Sequence, residues 1–232
     1  MKKNLFLWML LLPCWMVAQE RQIVEASSAD DLSGKVSAQL QYLFPEFTDG
    51  VVLFKNASRS AGKLNYNMLV GEMQFLNNDE VMTFDVGDVS SVTINNRTFY
   101  PYKGNEYAEE ILSTDVGQLR VRRKGNVAPY AKKGAYGTSS STSSITSYSS
   151  INSSNQQYNL SIANDVLISV RNFYYLVGEN GKYTQIMNVK TFTKQFPAYR
   201  TQIEAFVKDN NIRFDKEDDL KKLLIYCGGL KN

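Results

Sequence analysis

Short runs of β-forming residues recur at intervals of roughly ten residues between Gly50 and Arg123, and this spacing constrains the fold more than any other feature of the sequence. Turn-forming residues separate the runs. One separator, Asn95–Asn96, has the length of a tight hairpin turn, which requires positive φ angles. The predicted strands are 51–55, 62–68, 72–76, 81–84, 90–94, 97–102, 107–112 and 118–123. Short strands with short connections predict an antiparallel roll or barrel-like block over residues 42–130.

The residues after 160 predict a β-hairpin followed by two helices. Residues 165–177 form a continuous apolar run, and residues 182–187 answer it after the turn 178–181. Helical periodicity then begins just after Pro197. The two expected apolar stripes are Tyr199, Ile203, Phe206 and Val207 on the first helix, and Leu220, Leu223, Leu224 and Cys227 on the second. The second helix is expected to open at Asp215 and to end at Gly228–Gly229. The predicted fold class is therefore α+β, with residues 160–232 as the C-terminal block.

A glycine- and serine-rich segment, residues 131–159, separates the two blocks. Ten of the sixteen residues from Ser139 to Ser154 are serine, so the segment cannot bury enough apolar area to order by itself. Its few apolar side chains, Ile145, Tyr148 and Ile151, are three residues apart, which suits an extended arm that presents one side to a surface. A plain linker and a docking arm both remain open.

The N-terminus has the pattern of a secretory signal. Two lysines precede an apolar run, Leu5 to Leu12, that is too short to cross a bilayer as a helix. We expect cleavage after Ala18, which removes residues 1–18. Residues 19–41 are then expected to form a polar, flexible segment. Pro13, directly before Cys14, argues against lipidation of that cysteine. No other segment is long and apolar enough to span a membrane, so membrane association of the mature chain is expected to be peripheral at most.

Composition excludes several classes of function. The chain has 26 basic and 23 acidic residues, and removal of Lys2 and Lys3 leaves 24 against 23, so nucleic-acid binding is not expected. The sequence contains no histidine, and Cys227 is the only cysteine after residue 18. These counts exclude histidine-dependent catalysis and thiolate metal sites. The sequence also contains no G-x-G, so nucleotide-binding glycine loops are not expected. We expect no catalytic residues, no metal, no cofactor and no enzymatic activity.

The basic run at the end of the β block is the first candidate binding site. Strand alternation places Arg120 and Arg122 on one face, with Arg123 on the other face and Lys124 following. The run could meet an acidic partner or an anionic headgroup, or could be a solvated strand edge. The candidate partner-binding residues are Arg120, Arg122, Arg123, Lys124, Ile145, Tyr148 and Ile151.

Two alternatives use other residues. Exposed tyrosines could form a glycan- or peptidoglycan-binding platform. The aromatic clusters that suggest it are Phe99, Tyr100 and Tyr102 in the β block, and Phe173, Tyr174, Tyr175 and Tyr183 in the hairpin. Paired carboxylates could instead perform hydrolysis. The acidic clusters are Asp30–Asp31, Glu109–Glu110 and Asp215 to Asp219, the last of which suits the first turn of a helix.

Four stretches together resemble a group of exported proteins of Bacteroidota. They read DGVVLFKNASRSAGKLNYNMLVGEMQFL, VTINNRTFYPY, KKGAYGTSSSTSSI and TFTKQFPAYRTQIEAFVKDNNIRFDKEDDLKKLL. The resemblance covers about residues 42–226 and implies no activity, because none is assigned to that group. It implies a location in the periplasm, at the inner face of the outer membrane. The leading hypothesis is therefore a non-enzymatic envelope protein, an accessory subunit of an outer-membrane-associated assembly that binds a protein partner.

Overall fold

A computed structural model describes residues 21–25, 35–129, 165–178 and 180–231. The strands are β1 (Arg21–Glu25), β2 (Thr48–Phe54), β3 (Arg59–Asn67), β4 (Glu72–Asn77), β5 (Glu80–Thr83), β6 (Val89–Ile94), β7 (Arg97–Pro101), β8 (Tyr107–Thr114), β9 (Gly117–Pro129), β10 (Asp165–Val177) and β11 (Tyr183–Ile186). The helices are α1 (Ala38–Gln41), α2 (Val189–Thr193), α3 (Arg200–Asp209) and α4 (Glu217–Lys231). The expected signal segment, 1–18, and the serine-rich segment, 131–159, lie outside the described residues.

The described strands form one antiparallel sheet, so the expected α+β class, mostly antiparallel sheet with C-terminal helices, is confirmed. The strand order is β1-β10-β9-β8-β7-β6-β2-β3-β4-β5, and β11 also pairs with β10. All ten predicted strands are present. Strand β1 was not predicted. It lies in the segment expected to be flexible, 19–41, and pairs with β10 from Arg21 opposite Ser169 to Glu25 opposite Asp165.

Strands β2 to β8 curl into a roll around an apolar cluster. Val52, Tyr66, Val92 and Phe99 are almost completely buried there. The curl brings the start of β4 back to the start of β8, where Glu72 and Glu106 form an isolated bridge. The expectation of a barrel-like block needs a correction at this point, because an isolated bridge rather than a strand ladder joins β4 to β8, and the sheet is not closed into a barrel.

The C-terminal hairpin extends the same sheet. Strand β10 pairs with β9 over twelve residue pairs, from Val166 opposite Pro129 to Val177 opposite Gln118. The expected hairpin of β10 and β11 is present, with Tyr174 opposite Ile186 at its open end. The residues on either side of the undescribed stretch 130–164 therefore lie side by side at one end of the sheet, although the sequence had suggested two successive blocks.

Helices α2, α3 and α4 pack on one face of the β8–β11 region. Their buried stripes contain Phe192, Ile203 and Leu220, which pack against Leu119 and Val121 of β9. Helix α2 was not predicted. Its capping box explains its start, because the Asn188 side chain accepts from the Thr191 amide while the Thr191 hydroxyl accepts from the Asn188 amide.

Helix α4 continues beyond the expected end at Gly228–Gly229. The helix runs through both glycines to Lys231, and Leu230 packs against the core. A Cβ at Gly228 would lie 3.2 Å from Oδ1 of Asp115, so a small residue fits there. The packing of Leu230 outweighs the weak helix propensity of the two glycines, which is why the prediction of a C-cap was wrong.

Candidate functional site

Strand alternation divides the basic run of β9 between two environments. Leu119, Val121 and Arg123 face the helices, whereas Arg120, Arg122 and Lys124 lie on the opposite face of the sheet, as the sequence predicted. Aromatic side chains from β7, β10, β11 and the residue after β7 surround these cations. We call this surface the arginine–tyrosine face and define it by Tyr100, Tyr102, Arg120, Arg122, Phe173, Tyr175 and Tyr183.

Arg120 lies at the centre of the face and is only 8% exposed. Its Cζ atom lies 3.7 Å from the centroid of the Tyr100 ring and 5.2 Å from that of Tyr183. One terminal nitrogen donates to the Tyr183 hydroxyl, and the other donates to Oε1 of Gln118 at 2.5 Å. The buried Nε atom has no hydrogen-bond acceptor. The rings thus pack against the guanidinium group while leaving one donor unsatisfied.

Arg122 occupies the equivalent position two residues along the strand. Its Cζ atom lies between the rings of Phe173, at 4.8 Å, and Tyr102, at 5.2 Å. A terminal nitrogen donates to Glu106, which also accepts from Nζ of Lys124 at 2.5 Å. The buried Nε atom of Arg122 again has no acceptor. Both arginines therefore combine stacked rings with an unused N–H group.

Three tyrosines form a triangle beside the arginines. The ring centroids of Tyr102 and Tyr175, and of Tyr102 and Tyr183, are 5.0 Å apart, and those of Tyr175 and Tyr183 are 5.8 Å apart. Tyr175 is only 3% exposed and forms the floor, whereas Tyr100, Tyr102, Phe173 and Tyr183 remain partly exposed. The surface accordingly offers aromatic ring area to a ligand on top of a buried support.

The pKa values of three groups on this face are shifted away from neutral pH. Burial raises the pKa of Tyr183, although the Arg120 charge and hydrogen bond oppose the shift. Burial and a hydrogen bond with Tyr102 raise the pKa of Tyr175 well above its usual range. Burial alone would lower the pKa of Arg122, but its hydrogen bond with Glu106 and the Glu106 charge raise it. Tyr175 and Tyr183 are therefore neutral donors and acceptors, and Arg122 is fully charged.

The face and its rim carry an excess of positive charge. The cations are Arg120, Arg122, Lys124, Arg171 and Lys103, and the carboxylates are Glu106 and Glu110. Arg171 is the cross-strand partner of Lys124, and Lys103 lies 5.6 Å from the Tyr102 ring centroid. Among these seven side chains the cations outnumber the carboxylates by five to two. An acidic ligand is the electrostatic complement.

Arg123 does not belong to this face. It points to the helix side and shares Glu109 with Arg97, whose Nε and Nη2 atoms lie 2.5 and 2.7 Å from the two carboxylate oxygens. Arg123 also lies 3.8 Å from Glu217 at the start of α4. This contact set makes Arg123 a link between strands and helix. Ile145, Tyr148 and Ile151, the other members of the expected binding set, lie outside the described residues.

Of the acidic clusters that the sequence singled out, Asp30–Asp31 lies outside the described residues, and Glu109 and Glu110 do not face each other. Glu109 and Glu110 are neighbours on β8 and point to opposite faces, toward Arg123 and Arg120 respectively. Burial would raise the pKa of Glu109, but its hydrogen bond from Arg97 and the Arg123 charge outweigh burial and lower it. The pKa of Asp215 is also lowered, mainly by a hydrogen bond from Arg213. A lowered pKa does not suit a general acid at neutral pH.

A cavity of about 1040 Å³ lies on the helix side, between the middle of β10 and the start of α4. Its polar lining includes Arg123, Asn172, Tyr174 and Glu217. These groups already contact one another or their neighbours, since Asn172 donates to the Tyr174 hydroxyl and Arg123 contacts Glu109 and Glu217. Within the described part of the chain, no group of three or more acidic residues or cysteines could hold a metal ion.

Sequence reasoning identified the separate parts of the face but not their combination. Arg120, Arg122 and the tyrosines were singled out under two different hypotheses, and Glu106, Lys103 and Arg171 were missed. Phe99 and Tyr174, predicted with the tyrosine clusters, are buried in the two cores. The alternation in TFYPYK could have indicated that Tyr100 and Tyr102 share a face. The register of β9 against β10 could not have been predicted from a local pattern, because residues 130–164 separate the two strands in the sequence.

In the described part of the chain, no helix is long and apolar enough to cross a membrane. No family model matches the sequence, and neither a curated protein nor a solved structure gives a match.

Proposed function

We propose that the protein is an exported, non-enzymatic protein of the cell envelope that binds a protein partner through the arginine–tyrosine face. The observation that carries this proposal is the interleaving of guanidinium groups and tyrosine rings on the sheet face opposite the helices. Arginine and tyrosine are enriched among the residues that dominate binding energy in protein interfaces. Rings on a buried support lose little side-chain entropy when a partner binds.

The role is that of an accessory subunit of an outer-membrane-associated assembly. The signal-like N-terminus supports export to the periplasm, and the net charge of the face supports an acidic partner. Residues 131–159 contribute a docking arm in this proposal. Strands β9 and β10, which supply Arg120, Arg122, Phe173 and Tyr175, are the strands that flank this segment. An arm that starts from these strands can reach a partner held on their face.

The test is affinity purification of the tagged protein from gently solubilised cell envelopes, followed by mass spectrometry. Three forms are compared with the unaltered protein, namely Arg122→Glu, a deletion of residues 138–156, and the control Arg213→Glu. Arg213 is exposed and pairs with Asp215, away from the face. We expect a stoichiometric partner that is retained by the control and lost with Arg122→Glu. Deletion of residues 138–156 should lower the amount of this partner that is recovered.

If all forms purify without a partner, the accessory-subunit proposal fails. If the partner is retained by Arg122→Glu, the face is not its binding site.

A second candidate function is glycan or peptidoglycan binding, and the Tyr102–Tyr175–Tyr183 triangle favours it. Tyrosine rings bind the apolar faces of sugars, and neighbouring arginines donate to sugar oxygens. Cosedimentation with insoluble peptidoglycan separates the two candidates. Binding that Tyr102→Ala abolishes, in a protein that captures no protein partner, would replace the first proposal with the second.

A further inference from the structure

The unsatisfied donors of the arginine–tyrosine face indicate what its partner presents. Arg120 is more than nine-tenths buried, its two terminal nitrogens are both engaged, and its Nε atom has no acceptor. Arg122 is less completely buried, with 16% of its side chain exposed, and it donates from one terminal nitrogen to Glu106, but its Nε atom is likewise buried without an acceptor. A buried donor without an acceptor is costly, and an acceptor supplied by a ligand removes that cost. A ligand that supplies one acceptor oxygen to each arginine would satisfy both donors.

Electrostatics selects an anionic oxygen. Glu106 already accepts from Arg122 and Lys124. Glu110 lies opposite Arg120, but its buried Oε2 atom has no donor and does not satisfy the Nε atom of Arg120. Among the charged side chains named for the face and its rim, the cations still outnumber the carboxylates by five to two. Arginine forms its strongest hydrogen bonds with carboxylate and phosphate oxygens.

The spacing of the two donors selects an extended peptide. Arg120 and Arg122 are alternate residues of β9, so their side chains emerge about 7 Å apart on one face. Alternate side chains of an extended peptide have the same spacing. An acidic residue at every second position of a bound strand would therefore place one carboxylate over each arginine.

We infer that the arginine–tyrosine face recognises an extended acidic segment of its protein partner, whose alternate carboxylates accept hydrogen bonds from Nε of Arg120 and Nε of Arg122. The inference rests on the proposed function and specifies the chemistry of its partner. Both Nε atoms are buried in the free protein, so a covering ring turns aside on binding. Tyr100, which covers Arg120 and is itself partly exposed, is that ring for the first site.

The test is titration of the chain from Gln19 with a short peptide of alternating Glu and Ser, with the Gln–Ser peptide as the uncharged control. Trp8 and Trp15 both precede Gln19, so tyrosine fluorescence is not masked by tryptophan. We expect salt-sensitive binding of the Glu peptide, accompanied by a change in tyrosine fluorescence, and no binding of the Gln peptide. Arg122→Gln should weaken the binding about tenfold, whereas Arg213→Gln should leave it unchanged.

A second variant, at the buried Arg120, separates loss of binding from loss of folding. Arg120→Lys keeps the charge but loses the planar donor group, and should weaken binding several-fold while circular dichroism stays unchanged. The inference is overturned if the Glu peptide does not bind, or if Arg122→Gln and Arg213→Gln have equal effects. It is also overturned if polygalacturonate or polyphosphate binds while the peptide does not. A partner captured from envelopes through the face, together with failure of the Glu peptide, would leave the proposed function standing and remove only this chemistry.

Discussion

Glu109 shows how single residues connect the two layers of this protein. Its side chain is 6% exposed and accepts hydrogen bonds from Arg97 on β7 and Arg123 on β9. Arg123 extends the contact to Glu217 of α4. Removing one member of a buried ion pair leaves an uncompensated charge, which is far more damaging than losing an exposed pair. Glu109 is thus expected to contribute to stability rather than to chemistry.

Replacing Glu109 with glutamine should lower the free energy of unfolding by about 3 kcal/mol at neutral pH. The pKa of Glu109 is lowered in the folded state, so its stabilising effect is present above the unfolded pKa of about 4.3 and is lost as pH falls through the folded pKa. The difference between the unaltered protein and Glu109→Gln should therefore shrink below about pH 4. Urea denaturation of both proteins at a series of pH values measures this difference in the free energy of unfolding.

The exposed pair of Asp49 and Lys63, whose charged atoms are 3.0 Å apart, provides the control for this measurement. Asp49→Asn should change stability by less than about 0.5 kcal/mol. Equal changes in the free energy of unfolding for the two substitutions would show that the buried ion pair of Glu109 contributes no more to stability than an exposed pair.

At the scale of elements, one close approach fixes how the roll meets the rest of the sheet. The amide of Gly125 on β9 donates to the carbonyl of Leu69 at 2.9 Å. A Cβ at Gly125 would lie 2.7 Å from that carbonyl oxygen, which is too close for any side chain. The segment after β3 can lie against β9 only because this position is glycine.

Gly125→Ala should therefore destabilise the protein by at least about 2 kcal/mol, because backbone must move to accept the methyl group. Gly62→Ala on β3 is the matched control, since a Cβ added there would have no neighbouring atom within 4 Å and its effect should be neutral or slightly stabilising. Thermal unfolding of both variants gives the comparison. Similar midpoints would contradict the close packing of Gly125.

The elements were more predictable from the sequence than their assembly. Local chemistry indicated the strands, and the Asn95–Asn96 turn has the expected positive φ angles of 48° and 62°. Residues 21–25 lack a distinct pattern, and they form a strand because β10 offers them an edge. The arginine–tyrosine face depends on the register of β9 with β10, which no local pattern encodes. Tertiary pairing, not propensity, determines both features.

At the scale of the whole molecule, the stretch 130–164 connects two neighbouring strands rather than two separate bodies. Pro129 and Val166 are register partners, so removing residues 138–156 leaves both strand ends where they are. We expect this deletion to keep the unfolding midpoint within a few degrees, because loop closure depends only weakly on loop length. A chain that stops at residue 129 should instead aggregate, since Leu119 and Val121 would lose their cover.

Differential scanning calorimetry of the deletion and size-exclusion chromatography of the short chain check these two outcomes. A well-folded monomer ending at residue 129 would show that the roll is an independent domain.

The pairing of β1 with β10 also determines the order in which the protein can form. Arg21 lies opposite Ser169, so β1 cannot pair until β10, which is synthesised much later, is present. The long edge of β9 also stays unpaired until β10 is present. Contacts between distant parts of a chain slow folding and prolong the exposure of unpaired edges. A chain delivered N-terminus first can complete the roll but not the sheet until residues 165–177 arrive. The arginine–tyrosine face, which includes Phe173 and Tyr175 of β10, therefore cannot be complete before these residues arrive.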